Sequence, residues 1–262
     1  MARKPRWKVE SLENGVVTVN LFSWDYYGDF IYDEMLDYDF VYRGHRCSNW
    51  RLESTLDRLL RKRHGFVRES HAAEQLECFK YAARGRRGSH PPELKTENDW
   101  WALGQHNGLA TPLLDWTVSP YVGAYFAYCN TKSDDTPKRV VYALGENVIT
   151  KKSAEIQKAH KGIERAPTVE FFKPLSDENS RLVSQNGLLT RSPIGIDLET
   201  WIKQNFKGEK SHWILVKILI PSNNRENCLR ELNIMNINHL TLFPDLYGSS
   251  TFCNMDASID RY

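Results

Sequence analysis

A mixed α+β fold without regular strand–helix alternation is predicted by three features of the sequence. Gly15-Val-Val-Thr-Val-Asn20, Arg139 to Leu144 and Trp213 to Ile220 are short β-branched and apolar runs of strand length. Between them lie segments of helical period, such as Glu69 to Ala83, where Ala72, Leu76, Phe79 and Ala83 recur on one face. The two kinds of segment do not alternate as βαβ units, and neither GxGxxG nor GxxxxGK[ST] occurs, which argues against a Rossmann sheet and the usual phosphate loops.

The elements follow in order. The first strand comes after a Glu-Asn-Gly turn, and Tyr26 to Leu36 reads as a helix with an aromatic face. Phe40-Val41-Tyr42 is a strand that runs into Arg43-Gly44-His45-Arg46. Arg58 to Arg68 holds five Arg or Lys and no acid. The helix from Glu69 to Ala83 is broken by Arg84-Gly-Arg-Arg-Gly88 and His90-Pro-Pro92. Trp100 to Asn107 is a short helix stopped by Gly108. Thr111 to Trp116 is buried and extended, and Ser119-Pro120 is a cap and first residue for a helix to Cys129. Asn130 to Lys138 is a polar connection, and Lys151 to Arg165 an exposed helix or excursion. Asn186-Gly187 predicts a hairpin turn within Arg181 to Thr190. Glu226 to Asn238 is a helix candidate, and Leu240 to Leu246 a short terminal strand or turn.

The chain has 262 residues, 41% of them apolar and 12% aromatic, enough for a sizeable core in one large domain or two small ones. A net charge of +2 is close to neutral, so a polyanionic partner needs a local patch. Five scattered cysteines with no CxxC pair argue against a disulfide framework or a zinc ribbon. Neither a signal-like apolar segment nor a membrane-length apolar run occurs, so the expectation is a soluble cytoplasmic protein with no membrane partner and no metal.

Two stretches concentrate chemistry. At a strand end, Arg43 and Gly44 are either a solvated turn or a place where a ligand meets a fixed cation. From Gln105-His106-Asn107-Gly108 through Thr111-Pro-Leu-Leu-Asp115-Trp116-Thr117 to Ser119-Pro120, a carboxylate and hydroxyls gather where a helix begins, an arrangement suited to an anion. Alternatively, Asp115 and Ser119 only cap that helix, and His106 is a structural histidine at a helix end.

With Tyr42-Arg43-Gly44-His45 and Ala124-Tyr-Phe126-Ala127 added, these stretches resemble the FRG domain, named for a Phe-Arg-Gly motif that here reads Tyr-Arg-Gly. Arg181 with Gln185-Asn-Gly187, and Leu242-Phe243-Pro244-Asp245-Leu246, are weaker points of likeness, so the resemblance spans roughly residues 40 to 250. FRG domains look related to the ADP-ribosyltransferase fold, a split and strongly bent β-sheet with flanking helices that holds NAD+ as substrate. The resemblance implies an FRG unit over 40–262, with residues 1–39 packed on it as a strand and helix.

It also implies a catalytic set of Arg43, Asp115 and Gln185, the last standing where such enzymes carry a glutamate. Arg43, Gly44, His106, Thr111, Thr117 and Ser119 are the implied NAD+-binding residues. The implied activity is ADP-ribosyl transfer to a macromolecule, by a toxin or anti-phage defence effector that an antitoxin or regulatory protein could restrain. The basic segments either form a solvated face or, through Arg61, Lys62, Arg63, Arg86 and Arg87, hold a nucleic-acid acceptor, RNA being favoured. Two other classes stay open: a non-catalytic sensor binding NAD or nucleic acid, and a metal-independent RNase using His45 or His106.

Overall fold

The computed structural model describes residues 5–132, 135–174 and 180–262. Residues 133 and 134, inside the connection expected between Asn130 and Lys138, lie outside the described residues. In chain order the elements are β1 (Trp7–Glu13), β2 (Val16–Leu21), a 3-10 turn (Trp24–Tyr26), α1 (Tyr27–Phe30), a π-turn (Ile31–Met35), β3 (Phe40–His45), α2 (Thr55–His64), α3 (Glu69–Ala82), α4 (Glu97–His106), β4 (Leu113–Thr117), α5 (Pro120–Tyr128), β5 (Lys138–Gly145), α6 (Glu146–Ala159), β6 (Glu170–Phe172), α7 (Ser180–Ser184), β7 (Gly187–Arg191), α8 (Leu198–Asn205), β8 (Leu215–Pro221), α9 (Arg225–Ile234), α10 (His239–Leu242) and α11 (Leu246–Ser258).

Local chemistry explains most of these boundaries. Asn14 and Gly15, with φ of 52° and 78°, make the tight turn that reverses β1 into β2. The Ser119 hydroxyl accepts from the Val122 amide at 3.3 Å with Pro120 following, the cap that the sequence announces. Thr96 and Asp99 form a reciprocal capping box at the start of α4, three residues before the expected helix begins.

Two expectations are corrected. Asn186-Gly187 does not join two strands, because the run before it is α7. Asn186, at φ 45°, takes the chain out of that helix into β7. A side chain at Gly187 would strike Leu182, its Cβ falling 2.7 Å from Leu182 Cδ1. The segment Leu240 to Leu246 is no strand either. Asn238 and Thr241 cap α10, and Asp245 caps α11, so the chain there turns between helices.

Eight strands form one sheet in the order β1-β2-β8-β5-β3-β4-β7-β6. Among the described residues only β2 and β8 pair in parallel, Val16 opposite Leu215 through Asn20 opposite Leu219. The pairing of β3 with β5 runs through six residue pairs, but β3 meets β4 at one, Tyr42 opposite Thr117. The sheet is thus nearly divided between β3 and β4. Alternation along the strands sends one set of side chains to each face. Tyr42, Val141, Ala143, Val216 and Ile218 join α5 and α9 in one core. On the other face, Val41, Val140, Tyr142, Leu144 and Trp116 join Leu198 and Trp201 of α8. A third core, with Leu56, Leu76 and Trp101, packs α2, α3 and α4 against Leu113 and Leu189 of the smaller half-sheet.

Helix α5 lies directly on β3. A Cβ on Gly44 would sit 2.0 Å from the Gly123 carbonyl oxygen and 2.5 Å from the Ala127 amide. Both neighbours are backbone and cannot swing aside, so the glycine at position 44 is required by helix packing, not by the approach of a ligand. Gly44→Ala should therefore cost about 2–3 kcal/mol by forcing α5 off the sheet. Chemical denaturation of the variant checks this, and a loss below about 0.5 kcal/mol would show that the helix yields easily.

Candidate functional site

Past Tyr42 and Thr117, β3 and β4 separate, and the Asp115 carbonyl has no strand partner on that side. The Arg43 side chain takes the place of the missing ladder bond, its Nη1 donating to the Asp115 carbonyl oxygen at 2.7 Å. The same Nη1 lies 3.5 Å from Asp115 Oδ2, and Arg43 Nε donates to His45 Nε2 at 3.1 Å. Among the described residues the other amino group, Nη2, donates to nothing. Burial lowers the pKa of this guanidinium, opposed by the charge and hydrogen bond of Asp115.

Asp115 leans out of β4 with its side chain 59% exposed. Gln105, in the last turn of α4, donates from Nε2 to its Oδ1 at 2.6 Å, and the Gln105 side-chain Oε1 accepts from the Thr111 hydroxyl. Thr111 is wholly buried. A chain of contacts from Thr111 through Gln105 thus aims the carboxylate at Arg43. The imidazole of His45 is pushed down to about 3, by burial first and then by the positive charges of Arg43 and Arg58. It is neutral, and its Nε2 lone pair is already used.

The parting of the strands opens a cavity of about 390 Å³. Its floor is Arg43, Asp115 and Thr117, with Gln105 and His106 from α4 at one side and Phe126 from α5 at another. The far wall is Arg181 and Gln185 around α7 and Phe243 after α10. Arg181 Nε donates to Asp245 Oδ2 at 2.8 Å, as does its Nη2, while its guanidinium lies over the Phe243 and Tyr247 rings. Phe243 stacks on His239, with ring centroids 4.8 Å apart. His239 in turn shares a short hydrogen bond with the Tyr125 hydroxyl of α5.

Of the residues singled out in the sequence, Arg43, Gly44, His106, Asp115, Thr117 and Gln185 meet at this cavity. Thr111 and Ser119 do not line it. The Thr111 hydroxyl is spent on Gln105 and the Ser119 hydroxyl on the first turn of α5, so both hold the site's frame. The Thr117 hydroxyl donates to the Gln185 backbone carbonyl at 2.7 Å and accepts from the Ser119 amide. The Gln185 side chain donates to the Leu242 carbonyl at 3.2 Å, tying α7 to α10. Gln105, Phe126, Arg181 and Phe243 are the site residues that the initial choice omits. Gln105 stands in the stretch from Gln105 to Pro120 where polar groups gather among apolar ones, and Arg181 and Phe243 in the two weaker stretches of likeness.

The basic segments lie apart from the cavity. Arg61 donates to Glu53 from Nε at 3.0 Å and Nη2 at 2.6 Å, and Arg87 caps the Pro92 carbonyl and covers Trp100. Arg86 donates to the Ala82 carbonyl, while Lys62 and Arg63 are exposed. Among the described residues no group of three or more His, Cys, Asp or Glu could hold a metal ion, and no helix is long and apolar enough to cross a membrane.

A mixed α/β domain with a polar-floored cavity in a divided sheet is the class that fold and site define. Residues 38–136 match the family model of the FRG domain. The match takes in Arg43, Gln105, Asp115 and α5 but ends before Arg181, Gln185 and Phe243. No curated protein and no solved structure matches the chain.

Two expectations follow from this geometry. Arg43→Ala should cost about 1–3 kcal/mol, because it leaves the Asp115 carbonyl without its partner. A chemically denatured variant as stable as the parent would show that water replaces the guanidinium. The second concerns His45, which holds fewer protons in the folded chain than in the unfolded one between about 3 and its ordinary 6.5. Its contribution to stability is complete above about pH 6.5 and is lost as pH falls toward 3. His45→Gln should flatten that part of the stability curve, and an unaltered slope between about pH 4 and 6.5 would assign the acid sensitivity elsewhere.

Proposed function

We propose that the domain is an ADP-ribosyltransferase that uses NAD+ as substrate and transfers its ADP-ribosyl group to a macromolecule, RNA being the favoured acceptor. The observation that carries this reading is the near division of the sheet at Tyr42 and Thr117, with Arg43 and Asp115 facing one cavity across the gap. The residues present suit such a dinucleotide. Arg43 keeps Nη2 and Arg181 keeps Nη1 without partners among the described residues, two donors for phosphate oxygens, one on the floor and one on the far wall. Phe126 and Phe243 offer flat apolar surface for a heterocycle. The cavity falls within the usual range for small-molecule sites, about 300–1,000 Å³.

In the transfer, the bond between ribose C1′ and the nicotinamide nitrogen breaks, its electron pair leaving with nicotinamide, and an acceptor oxygen or nitrogen bonds to C1′. Asp115 takes the acceptor's proton and releases it to water. It is the one carboxylate among the cavity's described lining residues, and its exposed oxygens are oriented by Gln105 and Arg43. Gln185 cannot take that proton, and its amide is committed to Leu242. On this reading Gln185 shapes the wall and Asp115 does the work of the usual glutamate. His45 is a poor base for RNA cleavage, since it is pushed down to about 3 and already accepts from Arg43, which counts against an RNase built on that residue. An enzyme that modifies RNA at the expense of NAD+ would act as a toxin or defence effector unless restrained.

Incubation with NAD+ labelled on the adenylate and with RNA, DNA and protein tests the reading. Label should pass to RNA. Asp115→Asn should slow nicotinamide release at least about tenfold with little change in melting temperature, since an exposed carboxylate contributes little to the fold. NAD+ that binds but is never cleaved would make the domain a sensor, and unaltered turnover in Asp115→Asn would remove Asp115 from the reaction.

A further inference from the structure

A second cavity, of about 290 Å³, adjoins the first and shares with it Arg43, Gln105 and Asp115. Those three side chains, joined by the contacts already described, form a polar partition with a chamber on each side. The second chamber is lined further by Glu53, Thr55 and Arg58 at the start of α2 and by Ala110 and Leu113 before and in β4. We infer that this chamber receives the acceptor, and that the acceptor is a single-stranded nucleic acid with one nucleobase in the chamber and its phosphate on Arg58. The inference rests on the transferase reading. It adds where the second substrate binds and which residues of this chain select it.

Charge and shape carry the assignment. Glu53, one of two carboxylates at the chamber, is already paired with Arg61 at 2.6 Å. Arg58 has no carboxylate partner among the described residues, its Nη1 donating only to the Glu53 backbone carbonyl at 2.6 Å. Its charge acts on both Arg43 and His45, which places an uncompensated cation beside the partition. Lys62 follows Arg58 by one helical turn and is exposed, and Phe66, just past the end of α2, is 49% exposed with Arg68 over its ring at 4.7 Å. A cation at the chamber mouth, a second one turn on and an exposed aromatic beyond make a track for a phosphate backbone with a base to stack.

The partition also accounts for the chemistry. A transfer needs acceptor and donor on opposite sides of one carbon, with the base within reach of the acceptor. Asp115 lines both chambers, so it can take a proton from a group in the second while the donor ribose lies in the first.

The test uses the full chain, a single-stranded RNA oligonucleotide, and two variants that alter the chamber differently: Arg58→Gln removes its charge and Ala110→Phe fills it. Each should weaken oligonucleotide binding, measured without NAD+, at least fivefold, and Arg58→Gln should also reduce the salt dependence by about one counterion. With NAD+ present, each should lower the ratio of RNA labelling to NAD+ hydrolysis at least tenfold. Unchanged oligonucleotide affinity in both variants overturns the inference, as does label confined to protein, or hydrolysis and RNA labelling falling in equal measure. Weakened RNA binding by a chain that never cleaves NAD+ would leave the chamber a nucleic-acid site and refute the transferase reading alone.

Discussion

The hydrogen bond from Arg43 to the Asp115 carbonyl is the contact on which the rest of the site depends. Two adjacent strands normally satisfy each other's backbone, and a carbonyl left bare in a part-buried gap is costly. Here the strands separate after one residue pair, and a side chain closes the bond that the backbone gives up. The gap can therefore stay open without stranding the carbonyl. One guanidinium fork serves three partners, namely a carbonyl, a carboxylate and the His45 ring, and still keeps an amino group without a partner among the described residues. A lysine could not do this, since its single ammonium lacks the fork.

The opposite wall depends on contacts that reach across the core. Phe243 is held by stacking on His239, and His239 by the Tyr125 hydroxyl of α5, the helix that is seated on β3. The floor and the far wall are thus two ends of one packed unit, although only the floor falls within the stretch that matches the FRG model. Sheet, α5 and the C-terminal helices meet at glycines where no side chain fits. Gly248 in α11 is a second such place, because a Cβ there would lie 2.0 Å from the Phe243 carbonyl.

The arginines divide by burial. Arg46 and Arg139 share Asp135, and both guanidiniums are nearly covered, so that cluster belongs to the architecture. Arg181 and Asp245 are each 35% exposed. Such an exposed pair is screened by water and contributes little to stability, and its main effect is to hold Arg181 over two aromatic rings at the cavity edge. Arg58, exposed and without a carboxylate partner among the described residues, holds only the Glu53 backbone carbonyl, and its charge is felt by Arg43 and His45.

Local signals in the chain were sufficient for the principal strands, for the Ser119-Pro120 cap and for the α3 helix, because backbone propensity, capping and side-chain period act over a few neighbours. It was the resemblance to the FRG domain, and not those signals, that grouped Arg43, His106, Asp115 and Gln185 in one site. What each of them does was decided by the tertiary structure. Ser119 and Thr111 carry the same hydroxyls in either role, and only the position of the Val122 amide and of Gln105 commits them to the frame. Gly44 looked like room for a ligand because a sequence does not show that α5 presses on it. Asn186-Gly187 suits a hairpin or a helix exit equally well, and the packing of Leu182 over Gly187 selects the exit. Residues more than fifty positions apart, such as Arg43 and Asp115 or Gln185 and Leu242, become partners through strand order and helix seating, which depend on the whole core and on no short window of the chain.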